Sequence, residues 1–210
     1  MLKKKLPLLL ITSCVILIPL LAGVFLWDLL PDKIAIHWNT EGVADSFGSK
    51  TLAVFGLPAF LLGIHWLCTL ATFADPKRKN VDGKPLTLVL WLCPVLSLLV
   101  GTVVYMTALG YNLRVEIIVP MVLGILFIVI GNYLPKCRQN YTVGIKVPWT
   151  LHDTENWNKT HRFAGILWVI GGIVILATAF LGSIYILLPV FLLMAFLPVV
   201  YSYCLHRRKL

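Results

Sequence analysis

The chain has 210 residues, 59% of them hydrophobic and 13% charged, about half the charged share of an ordinary soluble domain. One small globule has no interior large enough to hide that much apolar surface, which excludes a soluble single-domain protein. The net charge of +9 raises nucleic acid as a partner, and the placement of the 18 Lys and Arg residues argues against it.

A helix needs roughly 20 mostly apolar residues to cross the hydrocarbon core. Six runs qualify: Leu6 to Leu30, Thr51 to Ala74, Leu86 to Leu109, Ile117 to Leu134, Arg162 to Gly182 and Ile184 to Cys204. Lipid offers no hydrogen bonds to the backbone, so a span must be a helix or part of a closed barrel, and runs this long without alternation exclude the barrel. The expected fold is an all-α integral membrane protein, a six-helix transmembrane bundle. Lys3, Lys4 and Lys5 ahead of the first run resemble a signal peptide. The run is too long and lacks a small-residue cleavage site, so it reads as a retained first helix.

Fifteen of the 18 cations fall on one side of this arrangement, leaving Lys33, Lys50 and Arg114 on the other. The positive-inside rule puts both termini in the cytoplasm and accounts for the basic balance without nucleic acid. The same orientation makes 31–50 an outer loop and 75–85 and 135–161 inner loops. The connection at Gly182 and Ser183 is barely a turn, so spans five and six should form an antiparallel hairpin. The five cysteines, Cys14, Cys68, Cys93, Cys137 and Cys204, lie in or at the ends of spans and suggest no disulfide framework.

The outer loop alternates Ile34, Ile36 and Trp38 with Ala35, His37 and Asn39, the period of a short half-buried strand, and Glu41-Gly42 then offers a turn. A small ordered cap follows, in which His37 and Asp45 pair or contribute to a metal site. Pro19, Pro58, Pro94, Pro120, Pro189 and Pro198 interrupt spans and imply kinks, while Gly124, Gly131, Gly165, Gly171 and Gly172 allow close helix approach. His65 is the ionisable side chain deepest in a span. It reads as a core histidine donating to a backbone carbonyl, or, with Cys68 at i+3, as half of a metal pair.

In the inner loop, Pro148 biases Val147 to an extended conformation, and Thr150 with Asp153 approaches a capping box, so a short cytoplasmic helix should begin near Leu151. Glu155 and Lys159 stand in favourable i, i+4 order, and Trp157 shares a face with His161. Arg162 should hold Asp153, Glu155 or a lipid phosphate. His152, Asp153, Glu155 and His161 fit no metal-binding spacing, and the chain shows no nucleophile beside a base and no phosphate-binding glycine loop. No cofactor, resident metal or catalytic residue is expected.

The stretch from Gly144 to Gly165, GIKVPWTLHDTENWNKTHRFAG, resembles the hallmark loop of the SdpI/YfhL family of bacterial multi-pass membrane proteins. Its matching positions are Gly144, Lys146, Pro148, Trp149, Thr150, Leu151, Asp153, Trp157, Arg162 and Phe163, with Asn140 upstream. The outer loop, LPDKIAIHWN with Ser49-Lys50 before the second span, resembles the DUF1648-like module that accompanies this family. Two regions follow: 1–74, two spans with the outer loop, and 75–210, four spans with the signature loop. The resemblance implies a multi-pass cell-membrane protein, not an enzyme, that protects a Gram-positive producer against a secreted peptide toxin and in some members recruits a cytosolic repressor. On that reading the outer loop, which Lys50 closes, meets the toxin with His37, Trp38, Asn39 and Asp45, while Trp149, Thr150, Asp153, Trp157 and Arg162 build a rigid platform that either locks the bundle or docks a protein partner through exposed Trp149 and Asp153, and membrane lipids surround the bundle. A small-solute or lipid transporter, with a polar cavity reaching His65, and a membrane enzyme with its site at the inner loop are the competing classes.

Overall fold

The computed structural model describes residues 2–180 and 184–209. Among them are six helical stretches long and apolar enough to cross a membrane: Lys5–Phe25, Leu52–Ala74, Lys84–Ala108, Val115–Lys136, Thr154–Phe180 and Leu187–Arg207. Large apolar side chains cover their outer faces, including Phe25, Phe60, Leu67, Ile166 and Phe196. Hydrocarbon chains cover such surfaces without penalty, and a helix keeps its backbone hydrogen bonds internal. The protein is an all-α multi-pass cell-membrane protein.

The chain forms two compact units, residues 1–70 with 87–115 and residues 71–86 with 116–210. In the first, α1 (Leu2–Ile16) and α2 (Ile18–Phe25) are one span broken at Leu17. The break follows from Pro19, which has no N–H to continue the ladder. Its ring packs where Gly101 leaves space, since a methyl group there would lie 2.5 Å from Pro19 Cβ. At the kink, Ser97 Oγ donates to the Ile16 carbonyl at 2.9 Å.

The expected strand is β1 (Lys33–Trp38), and it pairs antiparallel with β2 (Ala44–Ser49). Gly42, at φ +77°, makes the turn, which Asn39 holds by accepting the N–H groups of Glu41 and Val43 on its side-chain oxygen at 3.0 and 2.9 Å. Ile34 anchors the hairpin in a core with Leu30, Ala53, Val54, Val104 and Tyr105. A π turn, Leu52–Gly56, then leads into α3 (Leu57–Ala74), and α4 (Lys84–Ala108) carries the third span.

The buried His65 pairs through Nε2 with the Thr12 hydroxyl at 3.1 Å, a side chain and not the expected backbone carbonyl. Cys68 is exposed on the helix surface while His65 is buried. A cavity of about 10 Å³ in this unit is lined by Pro19, Pro58, Ser97 and Tyr105 among others, and His65 lies outside its lining.

In the second unit, α5 (Val115–Tyr133) packs against α7 (Thr154–Phe180), and α7 packs against α8 (Leu187–Arg207). Glycines seven residues apart bring α5 and α7 to backbone contact. A methyl group at Gly131 would lie 2.8 Å from the Gly165 carbonyl oxygen, and one at Gly172 would lie 2.6 Å from that of Gly124. Helices α7 and α8 run antiparallel, with Trp168 Nε1 donating to the Met194 carbonyl at 3.0 Å and Asn156 opposite Ser202. The hairpin of spans five and six is therefore present, and its turn at Gly182 and Ser183 lies outside the described residues.

Candidate functional site

Three segments of the second unit meet at one end of its helices: 75–80 after the second span, 135–153 after the fourth, and the tail beyond Tyr201. Asp75 begins this platform. It is buried, and its carboxylate accepts the Lys77 N–H at 2.7 Å, the Tyr141 N–H at 2.8 Å and the Thr142 hydroxyl at 3.0 Å. Lys77 donates to Gln139 Oε1 at 2.6 Å, Gln139 passes a hydrogen bond to the Thr150 carbonyl at 2.8 Å, and Asn80 donates to the Gln139 carbonyl at 2.7 Å. Each partner satisfies a polar group that would otherwise be costly to bury.

Asn140 shapes the turn. Its side-chain oxygen accepts the N–H groups of Thr142 and Val143 at 2.9 and 2.6 Å, and its amide donates to the carbonyls of Arg138 and Val143 at 2.8 and 3.0 Å. Nearby, burial pushes the Cys137 thiol up to about 11, so it stays protonated at neutral pH and acts as packing material.

The inner helix differs from its expected form. It begins at Pro148 as α6 (Pro148–His152), one turn earlier than Leu151, and Thr150 sits inside it. The Thr150 hydroxyl accepts the Val147 N–H at 3.1 Å and reaches the Ile145 carbonyl at 2.8 Å. Val147 offers no side-chain acceptor to cap the helix, so Thr150 reaches back from within it to the Val147 N–H. The chain then turns extended at Asp153, which is the residue that caps α7, accepting the Glu155 and Asn156 N–H groups at 2.8 and 3.1 Å.

Trp157 and His161 share a face as expected, stacked with centroids 4.0 Å apart. Trp157 is fully buried and donates from Nε1 to the Cys137 carbonyl at 2.7 Å. Asn156 ties α7 to α8, donating to the Ser202 carbonyl at 2.9 Å and accepting the Ser202 and Thr160 hydroxyls at 2.8 and 3.0 Å.

The carboxylates expected to meet Arg162 are held by the tail. Lys209 lies 2.8 Å from Asp153 and 2.7 Å from Glu155, Lys159 takes the other Glu155 oxygen at 2.7 Å, and Arg162 is exposed. Hydrogen bonds from Lys209 and then from the Asn156 N–H hold the Asp153 carboxyl below its ordinary value. Trp149 is half-buried, not exposed, with its ring 5.4 Å from Tyr203 and stacked on His206 at 5.9 Å. Phe163 stacks on Tyr201 at 4.6 Å, and the Lys146 ammonium donates to the Thr142 carbonyl at 2.9 Å. His152 donates to the Pro148 carbonyl at 2.6 Å and His161 faces inward, so neither converges with the acidic pair. Among the described residues, no three His, Cys, Asp or Glu side chains stand together to hold a metal.

In the first unit, His37 and Asp45 pair across the exposed hairpin at 2.5 Å. Lys50 donates to the Trp27 carbonyl at 3.1 Å and stands 3.6 Å from Asp32, which secures the hairpin base. Trp38 packs against the unit's core, while Val43 and Phe47 are exposed.

Residues 136–202 match the SdpI/YfhL protein family, and residues 14–62 match a domain of unknown function, DUF1648. Along the chain the stretch similar to DUF1648 comes first and the stretch similar to the SdpI/YfhL family follows it. It is 27% identical over 183 residues to Immunity protein SdpI of Bacillus subtilis (strain 168), covering 85% of this chain and 84% of that protein. No solved structure matches the chain.

The SdpI/YfhL region holds the Asn140 turn, α6, the Trp157–His161 stack and Ser202. Asp75, Lys77, Asn80 and Lys209 complete the same platform from outside it, and a sequence reading misses them. The adjacent apolar run hides Asp75 as an ordinary loop carboxylate, and no local pattern announces that Lys209 folds back. The DUF1648 region holds the hairpin with His37, Asp45 and Lys50.

Proposed function

We propose that this protein is a non-enzymatic immunity protein, protecting the cell that makes it against a secreted peptide toxin that attacks the membrane. The observation that carries the reading is the likeness to Immunity protein SdpI across 85% of the chain. The charge distribution supports a platform on the cytoplasmic side and a hairpin outside.

In this reading the hairpin meets the toxin. An exposed apolar pair, Val43 and Phe47, beside a polar pair, His37 and Asp45, suits an amphipathic peptide arriving at the membrane surface. Asn39 and Lys50 hold the hairpin in shape. The platform, stiffened by Asn140, Gly144, Thr150, Asp153 and Trp157, offers exposed Lys146, His152 and Arg162 to a cytosolic repressor.

Expression in a strain sensitive to a peptide toxin of this class tests the first role. Survival should rise with expression and fall in a Phe47→Ser, His37→Ala variant of equal membrane abundance. Unchanged survival despite good abundance would sink the immunity reading. For the second role, Lys146→Glu with His152→Glu should abolish repressor-dependent reporter output while resistance is retained; a reporter that still responds would remove the docking role.

A further inference from the structure

At the platform end of the second unit, a cavity of about 360 Å³ opens between the 79–85 segment and the residues that close the fourth span. Four cations line it, Lys79, Lys84, Lys136 and Arg138, with Asn80 and a single carboxylate, Asp82. Among the described residues, no hairpin, turn or helix cap uses these four cationic groups, and the proposed toxin and repressor roles do not involve them.

The walls are built, not incidental. Asn80 donates to the Gln139 carbonyl at 2.7 Å, which clamps one wall to the other, and Val81 beside it is buried. The Leu86 N–H returns to the Val81 carbonyl at 3.0 Å, and Gly83, at φ +87°, permits the tight turn between them. Lys136 stands over the Tyr133 ring at 4.8 Å, which fixes where its ammonium lies. Asp82 already accepts the Gly83 N–H at 2.8 Å. Four like charges gathered around one opening repel one another, and an anion between them relieves that repulsion. The start of the long helix α4 adds the positive end of its dipole at Lys84.

Depth selects among anions. Lys84 opens the third span and Lys136 closes the fourth, so the cavity lies where hydrocarbon gives way to water, the level of lipid phosphates. Its volume falls within the ~300–1,000 Å³ typical of small-molecule sites, enough for a headgroup with its phosphate. Basic pockets at span ends on the cytoplasmic side are suited to anionic lipid headgroups.

We propose that this cavity is a binding site for the phosphate headgroup of an anionic phospholipid, held by Lys79, Lys84, Lys136 and Arg138. Arg138 supplies the planar two-pronged donor that matches phosphate oxygens, and the three ammonium groups supply charge from the remaining sides. The site works independently of any toxin.

The test uses the full-length protein released from bilayers of equal phosphatidylcholine and phosphatidylglycerol, with retained lipid counted by native mass spectrometry. The wild type should retain phosphatidylglycerol in preference to phosphatidylcholine. Changing Lys79, Lys84, Lys136 and Arg138 together to Gln should reduce that preference at least about ten-fold. A control that removes equal charge from the same end, with Gln at Lys146, Lys159, Arg207 and Arg208, should keep it. An unchanged melting midpoint of the cavity variant in neutral detergent shows that its fold is kept. Should that variant fail to fold, Lys79→Gln with Arg138→Gln, both on exposed side chains, carries the same comparison. Equal loss in cavity and control variants would overturn the site in favour of diffuse attraction. Displacement of the lipid by inorganic phosphate at about 1 mM would also overturn the lipid assignment, because a bare phosphate lacks the acyl chains that hold a headgroup at this depth.

Discussion

His161 accepts the backbone N–H of Ile145 on Nε2 at 3.0 Å, while its Nδ1 donates to the Trp157 carbonyl at 2.8 Å. The two partners fix the ring as the neutral tautomer with its proton on Nδ1, since a carbonyl only accepts and an N–H only donates. The signature loop is thus fastened to α7 by a side chain sixteen residues away.

Gly144 lies against that ring at φ +116°, and a methyl group there would strike His161 Nε2. Gly144→Ala should lower the melting midpoint in detergent sharply, by more than the roughly 1 kcal/mol that positive φ alone costs. Gly83→Ala, at φ +87° in open space, isolates the backbone term. Equal losses in the two variants would show that contact with His161 contributes nothing.

The glycine contacts between α5 and α7 give a second expectation. Gly165→Ala places a methyl group 2.7 Å from the Gly131 carbonyl oxygen and 2.7 Å from the Pro135 ring, so the helices must separate. Membrane abundance and thermal midpoint should both fall. Gly63→Ala, in α3 with nothing within 4 Å, should be neutral or stabilising by up to about 1 kcal/mol.

The Asp153–Lys209 contact predicts a pH profile. The Asp153 carboxyl is held low by the hydrogen bond from Lys209 and then by the Asn156 N–H, and Lys209 is held high by Asp153 and then Glu155. A depressed carboxyl stabilises the fold above its unfolded value, about 3.9, and the gain disappears as pH falls through the folded value. A raised ammonium stabilises below about 10.4, and its gain is lost as pH rises past the folded value. The midpoint difference between wild type and Lys209→Met should therefore be flat from about pH 5 to 9 and shrink at both ends. It should also be small, because the pair is exposed to solvent. A difference that grows toward either extreme would contradict the pairing.

Topology is checked with single cysteines in a cysteine-free background. Thr40→Cys, on the hairpin turn, should react with an impermeant thiol reagent on intact cells, and Asn158→Cys, on the exposed face of α7, should react only after lysis. Both positions are exposed, unlike Asn156, whose amide is committed to Ser202. The reverse pattern would invert the orientation proposed from charge.

Removing Asn140 should cost the platform its turn. Asn140→Ala leaves the part-buried N–H groups of Thr142 and Val143 without their acceptor, each at a cost below the roughly 1–3 kcal/mol of a fully buried unsatisfied group. Thermal midpoint and membrane abundance should drop together, and Asn140→Asp, which keeps the acceptor oxygen, should restore part of the loss.

Local rules were sufficient where a single segment decides its own structure. Apolar length gives the six helices because lipid leaves the backbone no alternative, and the alternation from Ile34 to Trp38 gives β1. The turn at Gly42, the break at Pro19 and the Glu155–Lys159 pair follow from residues within a few positions of one another. The inner helix start moved one turn because Pro148 is itself a good first residue of a helix and Thr150 bonds backwards as well as forwards.

Tertiary structure alone decided which distant groups meet. Sequence names Asp153 and Glu155 as carboxylates in need of a cation, but Lys209 reaches them in place of the nearer Arg162, because α8 returns antiparallel beside α7 and delivers the tail to that end. The same packing brings Asp75 to Tyr141 and Thr142, Trp149 to His206, and Gly131 to Gly165. Hydropathy fixes that a helix crosses the membrane and leaves its rotation free, because lipid accepts any apolar face. Rotation and depth are set by the glycine contacts and the buried polar partners, which exist only once the helices have packed.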